Sequence, residues 1–217
     1  MLRLYVDTAV RDLAEPWLRT GLVCGLTTNP TLLARAGVPG TQLPEVYRWA
    51  VTAGAREVFL QGWGPDRASL LRRCQELAAL GPEVVIKVPA TPTGLEVATV
   101  VSRGGQRVLL TAVYEPHQAV LAAAAGAAYI APYLGRMTDA GADAVATIGR
   151  MQRILEADGG RCEILAASLR APEDVTRLIE VGLRCFTISP EVLDAFLDVP
   201  PTVDAAAAFE RAANAPL

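Results

Sequence analysis

The feature that most constrains the fold is a unit that recurs eight times along the chain. Each unit has a β-rich run, one or two polar residues, a glycine or proline, and then an amphipathic stretch. Most of the β-rich runs are continuously apolar rather than alternating, which is typical of parallel strands covered on both faces. The predicted strands are 2–7, 25–28, 57–61, 84–88, 108–111, 129–133, 163–167 and 185–188.

The segments between these runs have the pattern of amphipathic helices. The stretch 65–80 starts with a proline, places its leucines and a cysteine on one face, and stops at a Gly-Pro pair. The stretch 172–182 follows the same design, and another helix is predicted to begin near Asp139. After the eighth run we expect a short helix over 190–198 and, beyond a pair of prolines, a final helix over about 202–214.

Eight such units close most simply into an α/β fold of the (β/α)₈ type, the TIM barrel. We therefore expect one domain over 1–217, with an extra C-terminal helix that a closed barrel does not need. An open doubly wound sheet is the alternative. It is disfavoured because the chain has neither a G-x-G-x-x-G motif after a strand nor a P-loop.

Composition excludes several classes of function. The net charge of −3 comes without a Lys/Arg-rich run, so no nucleic-acid partner is expected. No run of eighteen apolar residues and no signal peptide is found, which predicts a soluble cytoplasmic protein without a membrane partner. The four cysteines have no C-x-x-C spacing and one histidine accompanies them, so no metal site is expected.

Lysine usage is the most informative single feature, because the chain has nineteen arginines and one lysine. Lys87 lies in the run VVIKVP at 84–89, near the carboxyl end of the fourth predicted strand, where barrels carry their active sites. Burial among valines favours the neutral amine, a nucleophile that arginine cannot replace. Alternatively, Lys87 extends to water or pairs with a carboxylate, as most strand lysines do.

Polar residues end most of the other strands, and in a barrel they would meet at one rim. Taken singly, such residues are usually turn formers or helix caps, which suits Thr28, Asn29 and Ser168 but not Gln61 or Tyr133. Together with Lys87 they predict a polar pocket suited to a sugar. The set at the strand ends is Asp7, Thr28, Asn29, Gln61, Thr111, Tyr133 and Ser168.

A phosphate group would need cations near this rim. Arg136 follows the sixth strand and Arg170 the seventh, in the late loops where barrels often bind phosphate. Each arginine alone would ordinarily be a solvated surface residue.

Taken together, these motifs resemble those of the transaldolase family, and most of all its short fructose-6-phosphate aldolase type. The resemblance covers essentially the whole chain, in order, and the T-T-N-P and K-V-P-x-T motifs carry most of it. The matching segments are DT at 7–8, GLTTNP at 25–30, IKVPAT at 86–91, TAVY at 111–114, APY at 131–133 and ASLR at 167–170.

The resemblance implies a role for each residue. Lys87 matches the lysine that forms the Schiff base. Asp7 and Asn29 match groups that hold substrate hydroxyls, with Asp7 also assisting proton transfer. The remaining matches are Thr111 and Gln61 with a catalytic water, Tyr133 with an acid/base role, and Arg136, Ser168 and Arg170 with the phosphate. The family needs no cofactor, and it suggests a homo-oligomer, a pentamer or decamer.

Two positions separate the subtypes that the resemblance leaves open. Transaldolases have Glu at the position of Gln61 and usually Phe at that of Tyr133, so this chain looks like a Schiff-base aldolase that yields dihydroxyacetone and glyceraldehyde 3-phosphate. Gly135, where Asn is commoner, and Gly62-Trp63-Gly64 depart from the family pattern.

Three other functions remain open. The nearest is a transaldolase of the pentose phosphate pathway. A deoxyribose-phosphate aldolase is a weaker rival, because that family uses a second active-site lysine. A sugar-phosphate-binding barrel without catalysis is the alternative from another class.

Overall fold

The structure, a computed structural model, describes residues 1–215 and is built around a closed barrel of eight parallel strands. Each strand pairs with the next along the chain, and the eighth pairs with the first. The predicted TIM barrel is therefore confirmed, and an open sheet is excluded. The strands are β1 Arg3–Asp7, β2 Val23–Thr27, β3 Glu57–Gln61, β4 Val84–Pro89, β5 Val108–Val113, β6 Tyr129–Pro132, β7 Glu163–Ala166 and β8 Cys185–Ile188.

Helices follow every strand, with additional short ones after β2, β6 and β8. They are α1 Arg11–Arg19, α2 Pro30–Arg35, α3 Leu43–Thr52, α4 Arg67–Ala78, α5 Pro92–Arg103, α6 His117–Ala124, α7 Leu134–Asp139, α8 Ala144–Ala157, α9 Pro172–Glu180, α10 Pro190–Ala195 and α11 Pro200–Ala213. Between strands and helices lies the larger part of the core, formed by outward-facing strand residues such as Val84, Ile86 and Val88.

A second, smaller core fills the interior of the barrel. It contains Tyr5, Phe59 and Tyr129, whose rings meet edge to face, with Phe59 5.2 Å from Tyr5 and 5.4 Å from Tyr129 between centroids. Strand alternation explains both layers, because successive side chains of a strand point to opposite faces. The packed interior means that a ligand can approach Lys87 only from the carboxyl ends of the strands.

The amino-terminal end of the barrel is closed by a polar network around Glu57. Glu57 is 7% exposed, and its carboxylate accepts hydrogen bonds from the hydroxyls of Tyr5 and Tyr129, the latter at 2.9 Å, and from Arg107. Burial, together with the charge of Glu57, raises the pKa of Tyr129 to about 12. These groups satisfy one another, which is typical of a structural role.

Several helix boundaries differ from the sequence-based expectation. No helix was predicted over α7, and the predicted start near Asp139 is wrong. Asp139 is the last residue of α7, and α8 begins at Ala144, where the Asp143 side chain accepts a hydrogen bond from the backbone of Ala146 at 3.1 Å. The helix predicted from residue 65 begins at Arg67 for the same reason, after the capping side chain of Asp66.

The C-terminal helix α11 starts at Pro200, two residues before its predicted start, because proline is well suited to the first position of a helix. None of its residues is buried, and Val203 and Phe209 are 58% and 72% exposed. The helix therefore gains little from the barrel beneath it.

Candidate active site

A cavity of about 210 Å³ opens at the carboxyl ends of the strands. Seven of the ten residues predicted from the sequence line it. They are Asp7, Asn29, Lys87, Thr111, Tyr133, Arg136 and Ser168. The other three, Thr28, Gln61 and Arg170, do not line the cavity.

Lys87 lies on the inner face of β4, two residues after Val85 in the barrel interior, and is 6% exposed. Its Nζ donates a hydrogen bond of 2.7 Å to the backbone oxygen of Thr28. Burial lowers the pKa of Lys87, and the nearby carboxylate of Asp7 opposes that shift. Compared with a free lysine, the Lys87 amine is therefore easier to deprotonate, and it is held in place while it lines the cavity.

Thr28 is fully buried, and its hydroxyl donates to the backbone oxygen of Phe59 at 3.1 Å. Thr28 therefore contacts the site through its backbone oxygen, which holds Lys87, and its side chain does not reach the cavity. The neighbouring Asn29 caps α2, accepting a hydrogen bond from the backbone of Leu32 at 3.0 Å. This bond fixes the Asn29 side chain and leaves its amide nitrogen free to donate to a ligand.

Asp7 ends β1 and faces the same cavity. Thr27 donates to its Oδ1 at 2.5 Å and also shares a 2.5 Å hydrogen bond with the hydroxyl of Thr187. Burial raises the pKa of Asp7, while Lys87 and the hydrogen bond from Thr27 oppose the shift. Thr27 and Thr187 were missed from the sequence, although each interrupts an apolar strand with a hydroxyl.

Thr111 and Tyr133 form the second polar pair of the cavity, with 2.6 Å between their hydroxyl oxygens. Thr111 is 2% exposed, and the guanidinium of Arg136 lies 4.7 Å from the centre of the Tyr133 ring. Next to Thr111, Ala112 adopts a left-handed φ of +57°, within the segment where the β5–β6 register shifts. Such strained residues are concentrated at functional sites.

Gln61 ends β3 directly opposite Lys87 in the β3–β4 register. It lines a neighbouring cleft together with Trp63 and Thr91 instead of the cavity of Lys87. Because paired residues of neighbouring strands point to the same face of a sheet, the Gln61 side chain leaves β3 on the same face as Lys87.

Of the residues predicted to bind phosphate, Arg136 and Ser168 line the cavity, and Ser168 has a left-handed φ of +61°. Arg170 instead forms a two-pronged ion pair with Asp139, with Nη1 2.7 Å from Oδ1. Its backbone nitrogen also donates to Asp174 at 2.8 Å. The structure thus keeps Arg170 engaged with its neighbours and away from the cavity.

Sequence reasoning also missed the contribution of α2. Thr31, Leu32 and Arg35 line the cavity on the side of Asn29. Thr31 and Arg35 are four residues apart, a spacing that places both on one face of a helix. That spacing, directly after the T-T-N-P motif, is the signal that could have identified them.

Two other features are absent from residues 1–215, a metal-binding cluster and a membrane-spanning helix. Within that range no three His, Cys, Asp or Glu side chains come together in a way that could hold a metal ion. None of the helices described is both long and apolar enough to cross a membrane.

Solved structures with similar architecture support the fold. Thiamine phosphate pyrophosphorylase from Pyrococcus furiosus matches with a TM-score of 0.60 at 15% sequence identity, over 87% of this chain and 85% of that chain. At this identity the similarity concerns the fold alone.

Sequence relatives are more informative. A probable transaldolase of Pelotomaculum thermopropionicum is 33% identical over 202 residues, covering 93% of this chain and 92% of the relative. A probable transaldolase of Dehalococcoides mccartyi is 33% identical over 208 residues, covering 96% of both chains. The family model described as transaldolase/fructose-6-phosphate aldolase matches residues 4–216. The chain therefore belongs to the transaldolase/fructose-6-phosphate aldolase family.

Proposed function

We propose that this enzyme is a Schiff-base aldolase that cleaves or forms the C3–C4 bond of a ketose phosphate such as fructose 6-phosphate. The products of cleavage are dihydroxyacetone and glyceraldehyde 3-phosphate. The observation that carries the proposal is Lys87, the chain's one lysine, which lines the cavity, is buried, and has its pKa lowered by that burial. No cofactor takes part in this chemistry.

The reaction begins when the neutral amine of Lys87 adds to the ketone at C2, and loss of water leaves a protonated imine. A base then takes the proton of the C4 hydroxyl, the C3–C4 bond breaks, and its electron pair moves into the imine to give an enamine. The aldehyde phosphate departs. Protonation of C3 and addition of water release dihydroxyacetone and regenerate the amine.

We assign the proton steps to two groups of the cavity, Asp7 and the hydroxyl of Tyr133. Asp7 faces Lys87, and because burial raises its pKa, it can hold a proton at higher pH than an ordinary aspartate. The Tyr133 hydroxyl, in contact with Thr111, is the acid/base group on the opposite side. Asn29 holds a substrate hydroxyl, while Arg136 and Ser168 bind the phosphate.

Aldolase and transaldolase differ in the fate of the enamine, which is either protonated and released or transferred to a second aldehyde. Gln61 cannot exchange a proton, and Asp7 is the one carboxylate among the described residues that line the cavity. Both points favour release of dihydroxyacetone, with Tyr133 as the acid that protonates the enamine. The names of the relatives favour transfer, so transaldolase is the second candidate.

Reductive trapping tests the shared chemistry. Borohydride added with dihydroxyacetone should attach one reduced adduct to the peptide that contains Lys87, and Lys87→Arg should give none because guanidinium forms no imine. An unlabelled wild-type enzyme, or an active Lys87→Arg variant, would refute the mechanism. A barrel that only binds sugar phosphates would likewise remain unlabelled.

A product assay separates the two candidates. Dihydroxyacetone release from fructose 6-phosphate is measured beside transfer to erythrose 4-phosphate, for the wild type and for Gln61→Glu. We expect release to dominate in the wild type and transfer to gain in the variant. Much faster transfer in the wild type would identify a transaldolase.

We also propose a cytoplasmic enzyme that assembles into a homo-oligomer of five or ten subunits. The exposed apolar residues of α11, Val203 and Phe209, support the assembly because they lack a partner in the barrel.

A further inference from the structure

Arg35 is a cation at the cavity that neither the sequence motifs nor the mechanism above uses. It is the last residue of α2, it is exposed, and it lines the same cavity as Lys87 and Arg136. Within residues 1–215 its guanidinium forms no ion pair. An unpaired guanidinium at the entrance of a small polar cavity is suited to bind an anion.

The placement of α2 gives Arg35 a defined relation to Arg136. Arg35 follows β2 and Arg136 follows β6, and these strands lie on opposite sides of the closed eight-strand ring. The two arginines therefore reach the cavity from opposite walls, whereas Ser168 follows β7, the strand next to β6.

The charge balance of the cavity supports an anionic ligand between these walls. Of the described residues that line it, Asp7 carries the one carboxylate, which lies close enough to Lys87 for the two groups to influence each other's pKa. Arg170 is neutralised by Asp139. Arg35 and Arg136 outnumber the Asp7 carboxylate even when the Lys87 amine is neutral, so the described lining of the cavity is net positive and would attract and orient a phosphate dianion.

We propose that Arg35 is a substrate-binding residue that contacts the phosphate of the leaving aldehyde from α2, opposite Arg136. The inference rests on the proposed aldolase function and assigns to Arg35 the second cationic position that Arg170 does not fill. It makes α2 a determinant of preference for phosphorylated over neutral aldehydes.

The test uses the synthesis direction, in which dihydroxyacetone is joined either to glyceraldehyde 3-phosphate or to unphosphorylated glyceraldehyde. Arg35→Ala should raise KM for the phosphorylated aldehyde about tenfold, the typical effect of one charge-assisted hydrogen bond. Its kcat, and its KM for glyceraldehyde, should remain within about twofold. Arg35→Lys should recover part of the loss because it keeps the charge but not the planar fork.

Arg103→Ala is the matched control, because Arg103 is also exposed and also ends a helix but lies outside the cavity. If Arg35→Ala has the same KM for glyceraldehyde 3-phosphate as Arg103→Ala, the proposal is wrong. Equal loss for both aldehydes would also overturn it, because such a loss is independent of phosphate.

Trapping with dihydroxyacetone and borohydride keeps this result separate from the proposed function. Dihydroxyacetone carries no phosphate, so the wild type and Arg35→Ala should be labelled on Lys87 to the same extent. A labelled enzyme with an unchanged KM refutes the role of Arg35 alone, whereas an unlabelled wild type refutes the Schiff-base function itself.

Discussion

Replacing Gly135 by alanine should damage the phosphate side of the cavity through the packing of α7. A Cβ at this position would lie 2.6 Å from the backbone oxygen of Ser168 and 2.8 Å from Nε of Arg170. The Gly135 nitrogen already donates to that Ser168 oxygen at 2.9 Å, so the two segments are tied together at their closest point.

The magnitude follows from the distance. Ordinary contact begins at 3.4 Å, so α7 and the segment after β7 must separate by roughly 0.8 Å. Overpacking of this kind costs about 1–3 kcal/mol, and alanine recovers at most about 1 kcal/mol through its helix propensity. With the full recovery, we expect a net loss of up to about 2 kcal/mol in the free energy of unfolding. A displacement of about 1 Å can reduce catalysis about a hundredfold, so kcat/KM for fructose 6-phosphate should fall by about ten- to a hundredfold.

Two assays check this prediction, namely steady-state kinetics with phosphorylated and unphosphorylated substrates, and urea unfolding. The loss of kcat/KM should be greater for the phosphorylated substrates. Gly104→Ala is the control, because Gly104 directly follows α5 with an ordinary φ of −73° and its Cβ would lie 3.3 Å from the nearest backbone oxygen, that of Val101. If Gly135→Ala and Gly104→Ala behave alike, the contact between α7 and Ser168 yields easily and the reasoning fails.

Three further predictions concern the proton chemistry, the buried amine and the assembly. Tyr133→Phe removes the hydroxyl that contacts Thr111 and should slow cleavage by about a hundredfold or more while borohydride still traps the imine; loss of trapping would contradict the assigned role. Lys87→Met should stabilise the fold at about pH 7, because burial lowers the folded-state pKa of Lys87 below its unfolded value of about 10.4. Between these two pKa values, the stability of the wild type should then rise with pH and approach that of the variant. Melting temperatures of the two proteins that stay parallel across this pH range would contradict the prediction. Deletion from Pro201 onward should lower the oligomer mass in light scattering, and an unchanged mass would rule out a role for α11 in assembly.

The barrel itself was predictable because its signal is repeated. Eight apolar runs, each followed by a helical pattern, indicate parallel strands, and all eight appear in the predicted order. The helix α7 was not predictable in this way, because six residues are too few to show a helical period. Its buried residues Leu134 and Met137 become recognisable as a helix face only in the context of β6 and β7.

The candidate site was partly predictable for a similar reason. Side chains at strand ends must converge in a barrel, so Lys87, Asp7 and Tyr133 could be placed at one rim from the sequence. The direction of long side chains on the following helices could not be predicted from the sequence. Arg170 is held by Asp139, a residue 31 positions earlier, and Arg35 is free to face the cavity; no local pattern specifies either arrangement.

Burial of the one lysine governs how amine chemistry can be applied to this protein. Lys87 is 6% exposed and the sequence has no second lysine, so cross-linkers and dyes that react with surface lysines find no such side chain on the outside of the barrel. A negative result from lysine cross-linking would consequently carry no information on assembly. Small carbonyl compounds that fit the cavity should still reach the Lys87 amine. Reduction would then attach one label covalently to Lys87 in each active subunit. Counting those labels titrates the functional sites in a preparation, with substrate competition as the built-in measure of specificity.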